Sequence, residues 1–368
     1  MKKIHSLMMR VILACALLTG AALPVSEMIL ASDASVDKME VHFIDVGQGD
    51  STLITCGGSS MLIDAGDDSK GTAIQNYLQK QKVKKLDYLV LTHPDADHIG
   101  GAPVILTKFE IGKVFVSNYE KDNKTYLKLI QALDQKRLKS TTPKVGAQYA
   151  LGSAKITILA PNKKYENPND ASIALIIENG NNKFLFSGDA GEAAEKDILD
   201  GKTDISANVY HAGHHGSRYS TSEDFFQAVD PDCAVISCAQ GNSYGHPHAE
   251  TLNTFRTNGV KVYRTDEDGT IIAVSDGKKI TFNVPASDTW QAGEPTGSSR
   301  DSKKDTVSAV RKQDSSPASE LSYVLNVKTM KFHKPSCNSL PTENRQDTSE
   351  SRDSITAKGY VPCKRCNP

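Results

Sequence analysis

The sequence predicts an α/β fold of mixed sheets covered by helices, and two observations carry that expectation. Short β-rich runs alternate with helical stretches and turn punctuation over residues 39–285. The early runs are joined by tight turns such as Gly57-Gly58, as in antiparallel hairpins, whereas later runs are separated by helices. That order disfavours a purely parallel doubly wound sheet. Strands are expected at 41–44, 51–55, 60–63, 86–91, 113–116, 155–159, 172–178, 183–186, 207–210, 233–237 and 270–274. Helical patterns fall at 72–81, 124–137, 192–199, 223–229 and 249–257. No internal repeat is evident.

The chain has 368 residues, room for two or three units at about 150 residues each. Its 43 basic and 44 acidic residues leave a formal net charge of −1, which excludes a polybasic nucleic-acid coat or an acidic disordered tail as whole-chain descriptions. Hydrophobic residues at 38% and charged residues at 24% suit an ordinary core plus some polar sequence outside it. Residues 1–34 read as a secretory signal. Lys2, Lys3 and Arg10 precede an apolar run from Val11 to Leu23, too short for an ordinary membrane span, with cleavage expected after Ala31 or Ala34. Lipidation at Cys15 is disfavoured because Arg10 stands only five residues before it. A retained anchor is the other minor alternative, so a secreted or extracytoplasmic protein is expected. A main α/β domain at 35–285, a Gly-, Pro- and Ser-containing flexible linker at 286–319 and a Cys-containing module at 320–368 complete the expected organisation.

The chemistry is concentrated at strand ends. After the apolar run 86–91 the chain reads Thr92-His93-Pro94-Asp95-Ala96-Asp97-His98-Ile99-Gly100-Gly101. A strand end delivers alternate residues to one side, so His93, Asp95 and Asp97 can converge, and His98 joins them at the glycine turn. Imidazole and carboxylate are the ligands that hold paired divalent ions at hydrolytic centres. Ser187-Gly188-Asp189, His211-Ala212-Gly213-His214-His215-Gly216-Ser217 and Gly245-His246-Pro247-His248 repeat the theme after other apolar runs. Seven of the ten histidines lie between His93 and His248. His42, in an apolar run, and His211, in a strand-end turn, read as structural. Asp45, Asp50 and Asp64 read as turn caps or as groups orienting the ligands.

These motifs resemble the metallo-β-lactamase fold superfamily, whose usual signature is His-x-His-x-Asp-His; here Asp95 takes the second His position. That variant, with the run Phe43 through Ser51, Leu62-Ile63-Asp64-Ala65-Gly66, Ser187-Gly188-Asp189 and His214-His215-Gly216-Ser217, is similar to the hydrolase domain of ComEC-type competence proteins. The resemblance implies a four-layer αββα sandwich with a dinuclear centre. It implies His93 and Asp95 on one ion, Asp97 and His98 on the other, Asp189 as the bridging carboxylate, and His214 or His215 as the last ligand. The superfamily usually has a further His before the bridging Asp, where this chain has Asn169-Asp170. More oxygen and less nitrogen moves the preference from Zn²⁺ towards Mn²⁺ or Mg²⁺.

The expected mechanism is in-line attack on phosphorus by a hydroxide activated between two cations. Asp97 would orient the nucleophile, and His246 and His248 would grip a phosphate oxygen or protonate the leaving oxygen. DNA is the expected substrate, because the ComEC-type domain is associated with DNA degradation during uptake. The alternatives are hydrolysis of another exported ester, such as phosphorylcholine or a cell-envelope phosphodiester, and a non-catalytic extracellular DNA-binding protein.

The tail contains His333-x3-Cys337 and Cys363-x2-Cys366, one His and three Cys with the spacing of a tetrahedral structural zinc site. A disulfide between Cys363 and Cys366 is the runner-up. The surrounding residues resemble the zinc module of the Ada DNA-repair protein, with His333 in place of a Cys. Eight basic and five acidic residues make the tail only mildly basic.

Overall fold

The computed structural model describes residues 36–293 and, further on, 323–335, 337, 340–341, 344–348, 355, 360–363 and 365. The expected signal at 1–34 and Cys366 lie outside the described residues. The chain divides into two compact units between Ser299 and Arg300.

In the first unit, β1 (Met39–Phe43), β2 (Thr52–Cys56) and β3 (Ser59–Ile63) form an antiparallel meander. β4 (Lys85–Leu91), β5 (Glu110–Val116) and β6 (Ser140–Thr141) then add in parallel. Parallel pairing needs crossovers, and these are α1 (Gly71–Lys80), α2 (Ala96–Ile99) with α3 (Ala102–Lys108), and α4 (Lys124–Lys136). The second half repeats that order without repeating the sequence. β7 (Gln148–Leu151), β8 (Ala154–Ile158), β9 (Leu175–Asn179) and β10 (Asn182–Phe186) are antiparallel. β11 (Val209–His211), β12 (Cys233–Ile236) and β13 (Lys261–Arg264) follow in parallel. Their crossovers are α5 (Glu192–Asp200), α6 (Glu223–Val229) and α7 (Ala249–Thr257). After α8 (Thr265–Asp268), β14 (Ile271–Ser275) and β15 (Ile280–Phe282) return the chain to the first sheet beside β1. The sheet orders are β15-β14-β1-β2-β3-β4-β5-β6 and β13-β12-β11-β10-β9-β8-β7.

Period-2 alternation builds the four layers. Val41, Phe43, Ile63 and Val90 of one sheet pack with Ile156, Leu175, Phe184, Phe186 and Val235 of the other. The alternate residues Leu53, Leu62, Leu89 and Leu91 face Ile74, Leu78, Ile105 and Leu133 on the helices. On the far side Ile176, Leu185, Tyr210 and Ile236 meet Ile198, Phe225, Leu252 and Phe255. The architecture is therefore αββα, as the resemblance implies.

The elements that the sequence pattern does not disclose are short or contradictory. Ala102-Pro103-Val104-Ile105-Leu106-Thr107-Lys108 is rich in β-branched residues yet helical, because Pro103 suits a helix start and Ile105 and Leu106 bury against β-sheet leucines. β6 has two residues and β15 three, too few for a readable alternation. Residues 286–293, expected to begin the linker, instead pack on the sandwich. The Ser287 amide donates to Val262 O at 2.7 Å, and Trp290 packs on the outer core of the second sheet. Arg264, 3% exposed, donates to Gln291 O at 2.6 Å, and Gly293 N–H donates to Pro247 O at 2.9 Å. Cys233 and Cys238 are not joined in a disulfide.

The second unit has a sheet in the order β18-β16-β17-β19. Its strands are β16 (Tyr323–Asn326), β17 (Lys331–His333), β18 (Arg345–Thr348) and β19 (Val361–Pro362). Its described core is Tyr323, Leu325, Phe332 and Ile355, a small cluster of the kind that needs a metal or disulfide staple. Among the described residues no helix is long and apolar enough to cross a membrane.

Two predictions follow from buried polar groups. Tyr210 reaches from the helix-covered face of β11 to the loop beyond it. Its hydroxyl accepts from Gly213 N–H at 3.0 Å and lies 3.1 Å from Thr221 Oγ1. Tyr210→Phe leaves that amide without its acceptor and should cost about 1–3 kcal/mol in chemical denaturation. His42 is 2% exposed, with Nδ1 2.8 Å from the Tyr77 hydroxyl, and burial outweighs Glu40 in holding its pKa below the ordinary value. The unfolded chain therefore takes up this proton first. Stability should fall as pH drops through about 6.5 and level off below the folded pKa. His42→Gln should flatten that part of the stability–pH curve relative to the parent.

Candidate metal centre

The centre lies where the central strands of both sheets end. β10 ends at Phe186, and Ser187-Gly188 turn the chain so that Asp189 enters the pocket, its amide donating to Ser172 Oγ at 3.1 Å. Asp189 is 4% exposed. Its Oδ1 lies 3.3 Å from His98 Nε2, and its Oδ2 lies 3.7, 3.6 and 3.7 Å from the Nε2 atoms of His93, His214 and His215. Four imidazoles thus converge on one carboxylate. Burial disfavours its charge, but the surrounding His98, His214, His215 and His93 outweigh that and hold Asp189 well below the usual carboxylate range.

Three of the imidazoles, those of His93, His98 and His215, are oriented from behind. Asp64 accepts from His98 Nδ1 at 2.8 Å, from Thr92 N–H at 2.8 Å and from Thr92 Oγ1 at 2.7 Å. The Thr92 hydroxyl, having donated to Asp64, faces His93 Nδ1 at 3.1 Å. His215 Nδ1 lies 3.0 Å from Ser237 O and 3.2 Å from Asp50 Oδ1. These contacts consume the Nδ1 positions and leave the Nε2 positions pointing inward, the carboxylate–histidine arrangement found behind metal ligands. Burial opposes charge on His98 and His215, but Asp189 with Asp64 on one and with Asp50 on the other hold both well above the ordinary histidine value. Burial and neighbouring His98 push His93 down to about 4.

Backbone conformation serves the same convergence. His214 and His215 both have positive φ, +52° and +56°, a region costing a non-glycine residue about 1–3 kcal/mol. Gly49, at φ +128°, comes so close to Asp97 that a Cβ would stand 2.3 Å from Asp97 O. The next amide, Asp50 N–H, donates to that oxygen at 3.1 Å. Asp97 Oδ2 lies 3.3 Å from His215 Nε2. Burial raises the Asp97 pKa, but the His215 contact and the charge of His98 outweigh it and hold the carboxyl below its ordinary value.

The residues expected from the sequence separate into three groups. His93, His98, Asp97, Asp189 and both His214 and His215 meet in the pocket, and both of the last two approach Asp189. Asp95 does not join the buried cluster. The strand has ended at Leu91, alternation has lapsed, and Asp95 precedes α2 with its Oδ1 2.6 Å from Lys121 Nζ. His246 and His248 stand beside the cluster. The His246 ring is 4% exposed, 5.4 Å from His214, and has an Nδ1 without a hydrogen-bond partner. Burial and the imidazoles of His215, His214 and His248 push its pKa down to about 3. His248 Nδ1 accepts from Arg218 N–H at 3.1 Å.

Asp170, at the position of the missing motif histidine, accepts from Gly191 N–H at 3.0 Å at the start of α5. His211 Nε2 lies 2.9 Å from Ser237 Oγ, a structural pairing. Asp50, read from the sequence as a turn cap or an orienting group, stands nearer the centre than that reading implies: it clusters with His98, Asp189 and His215 closely enough for one cation to touch all four. Its position after Gly47-Gln48-Gly49 is the only sequence signal that marks it. A cleft of about 550 Å³ opens beside the cluster, lined by Asn169, Asp170, Asp189, His214, Arg218 and Tyr219.

The residues fit a cation. His93 Nε2, His98 Nε2, His215 Nε2 and Asp189 Oδ1 are buried and lack hydrogen-bond partners, although each faces another group of the cluster. Buried polar atoms without partners are costly unless an ion or water satisfies them. In the second unit His333, Cys337 and Cys363 likewise converge, with His333 Nδ1 3.5 Å from Cys337 Sγ.

Comparison with known proteins agrees with this geometry. The profile of the Metallo-beta-lactamase superfamily matches residues 44–240. ComE operon protein 3 of Bacillus subtilis (strain 168) is 30% identical over 264 residues, covering 67% of this chain and 34% of that protein. Competence protein ComA of Neisseria gonorrhoeae is 30% identical over 231 residues, covering 62% of this chain and 31% of that one. The chain thus spans about a third of the length of these relatives. Among solved structures, Igni18, a metallo hydrolase from the archaeon Ignicoccus hospitalis, aligns with a TM-score of 0.46 at 19% identity, covering 63% of this chain and 98% of that one. With the family profile spanning more than half of the sequence, the chain belongs to the metallo-beta-lactamase superfamily, and it is similar to about a third of the length of competence proteins.

Proposed function

We propose that the protein is an exported metal-dependent phosphodiesterase that cleaves extracellular DNA. The observation that carries this reading is the convergence of four imidazoles and two carboxylates on a pocket in which the buried Nε2 atoms of His93, His98 and His215 have no hydrogen-bond partner. The similarity to competence proteins supports DNA as the substrate class, and the signal-like segment at 1–34 supports export. His93, Asp97, His98, Asp189, His214 and His215 would hold two divalent ions, Zn²⁺, Mn²⁺ or Mg²⁺, with Asp50 and Asp64 orienting the histidines and Asp95 at the rim. When bound, such ions make water a nucleophile at neutral pH and offset charge on phosphoryl oxygens. The protein's own part is geometric. Asp97, held by His215, directs the attacking water, and Asp189 keeps the imidazoles aimed at one point. His246 and His248, beside the cluster, would grip a phosphate oxygen or protonate the leaving oxygen. The second unit is proposed to carry one structural Zn²⁺ on His333, Cys337, Cys363 and Cys366.

Two experiments test the reading. Plasmid and single-stranded DNA are incubated with the protein and Mn²⁺, Mg²⁺, Zn²⁺ or chelator. Cleavage should require a cation, and His93→Ala or Asp97→Ala should lower its rate roughly 100-fold or more. Equal cleavage by the parent and both variants, or none by the parent with any cation, sinks the nuclease reading. For the tail, zinc content of the purified full-length chain should fall by about one equivalent in Cys337→Ser and Cys363→Ser. Unchanged stoichiometry would remove the structural zinc.

A further inference from the structure

Two exposed aromatic side chains that the hydrolytic chemistry does not use stand near the centre, Tyr219 in the wall of the cleft and Tyr244 against the His246 ring. Tyr219 is 54% exposed and Tyr244 is 61% exposed. Every other described Phe, Tyr and Trp is buried or half-buried. A single exposed ring on a protein surface needs no explanation. Here the only two both sit on loops that carry the site histidines, Tyr219 just after His214-His215 and Tyr244 just before His246 and His248.

Both are tied to the centre. The Tyr244 ring lies within 17° of parallel to the His246 imidazole at 5.6 Å, His246 lies 5.4 Å from the His214 ring, and His214 Nε2 is 3.6 Å from Asp189 Oδ2. A continuous aromatic path therefore leads from solvent to the central carboxylate. The loop is held in place by Asn242, whose Oδ1 accepts from the amides of Tyr244 and His246 at 3.1 and 3.0 Å, while its Nδ2 donates to His246 O at 2.6 Å. Tyr219 lines the cleft with Arg218. The Arg218 guanidinium pairs with Glu250 at 3.1 Å, but both side chains are about half exposed, so the pair is weak and yields readily to a phosphate.

We propose that Tyr219 and Tyr244 form a stacking rim that receives unpaired bases beside the metal pocket, so that the centre selects single-stranded over duplex DNA. The choice of nucleic acid rests on the nuclease reading; the strand preference rests on the rim. Bases within a duplex already stack on one another and offer no free face, whereas a single strand presents one per nucleotide. Stacking on tyrosine also accepts any base, as an enzyme without sequence preference requires.

The test is binding by the full-length protein, held in chelator so that no strand is cut. At fixed salt, fluorescence anisotropy compares a labelled oligo-dT strand, the same strand paired with its complement, and an abasic strand of equal length. The parent should bind oligo-dT most tightly. Tyr219→Ala and Tyr244→Ala should each weaken that binding by roughly 5- to 100-fold, leave the abasic strand unaffected and keep the slope of affinity against salt, since no phosphate contact is lost. Tyr219→Phe and Tyr244→Phe should restore oligo-dT binding, because the ring is kept. Binding that does not distinguish the three DNAs, alanine variants that match the parent, or phenylalanine variants as weak as alanine would each overturn the rim. A parent that grips oligo-dT selectively yet cuts no DNA with any cation would overturn the nuclease reading alone.

Discussion

Asp189 and the four imidazole nitrogens that approach it within 3.3–3.7 Å form the contact on which the rest of the structure depends. A buried carboxylate is costly unless positive charge and hydrogen-bond donors surround it. The chain meets that cost by bringing histidines from two separate strand ends of different sheets to one point. This requires the sheets to stack with their strand ends in register. The inter-sheet core of Phe43, Val90, Phe186 and Val235 sets that register, since these residues lie close to the ends that carry Asp50, His93, Asp189 and His215. Imidazoles beside carboxylates are a donor set that a divalent cation can bind, with release of any protons they carry.

The support behind the ligands explains why the pocket tolerates strained backbone. His214 and His215 sit side by side in the left-handed region, yet Gly213 is held by Tyr210, His214 N–H by Gly188 O, and His248 N–H by Gly216 O. Strain of this kind persists only where neighbouring contacts over-determine the conformation. The same logic accounts for residues 286–293. Gly293 approaches the His246–Pro247 loop so closely that a Cβ would lie 2.1 Å from His246 O, and its amide donates to Pro247 O. What reads in sequence as the start of a linker is a strap behind a histidine-bearing loop.

Much of the fold was legible because the layers impose it residue by residue. Val41 and Phe43 face inward and His42 outward; Phe184 and Phe186 face inward and Leu185 outward. Alternation of that kind is visible in a single strand. The helix Ala102–Lys108 was not, because its Val, Ile and Thr favour extended chain and only packing against the sheet decides otherwise. At the centre, His93, His98, Asp189 and the His214-His215 pair were legible as ligand-type residues after apolar runs. Their supports were legible only in part: Asp50 and Asp64 read as groups that cap turns or orient the ligands, but which histidine each meets did not show. Asp64 finds His98 across 34 residues and Thr92 across 28, and Ser237 finds His215 across 22, pairings that no local pattern encodes. Asp95 shows the limit of the alternation rule, which holds only while the strand lasts.

The near-zero net charge constrains how such a centre can meet a polyanion. A formal charge of −1 over 368 residues supplies no long-range attraction, so capture must depend on short-range contacts. Of the cationic side chains near the site, Lys121 pairs with Asp95 and Arg218 with Glu250, the second pair exposed enough to yield to a phosphate. Bound cations would add positive charge at the pocket itself, acting over a few ångströms. Contacts that need no charge become correspondingly important, and aromatic rings at the mouth of the cleft are the surface feature able to supply them. Exposed tyrosines there are the expected companion of a neutral surface, just as buried carboxylates are of a cation site.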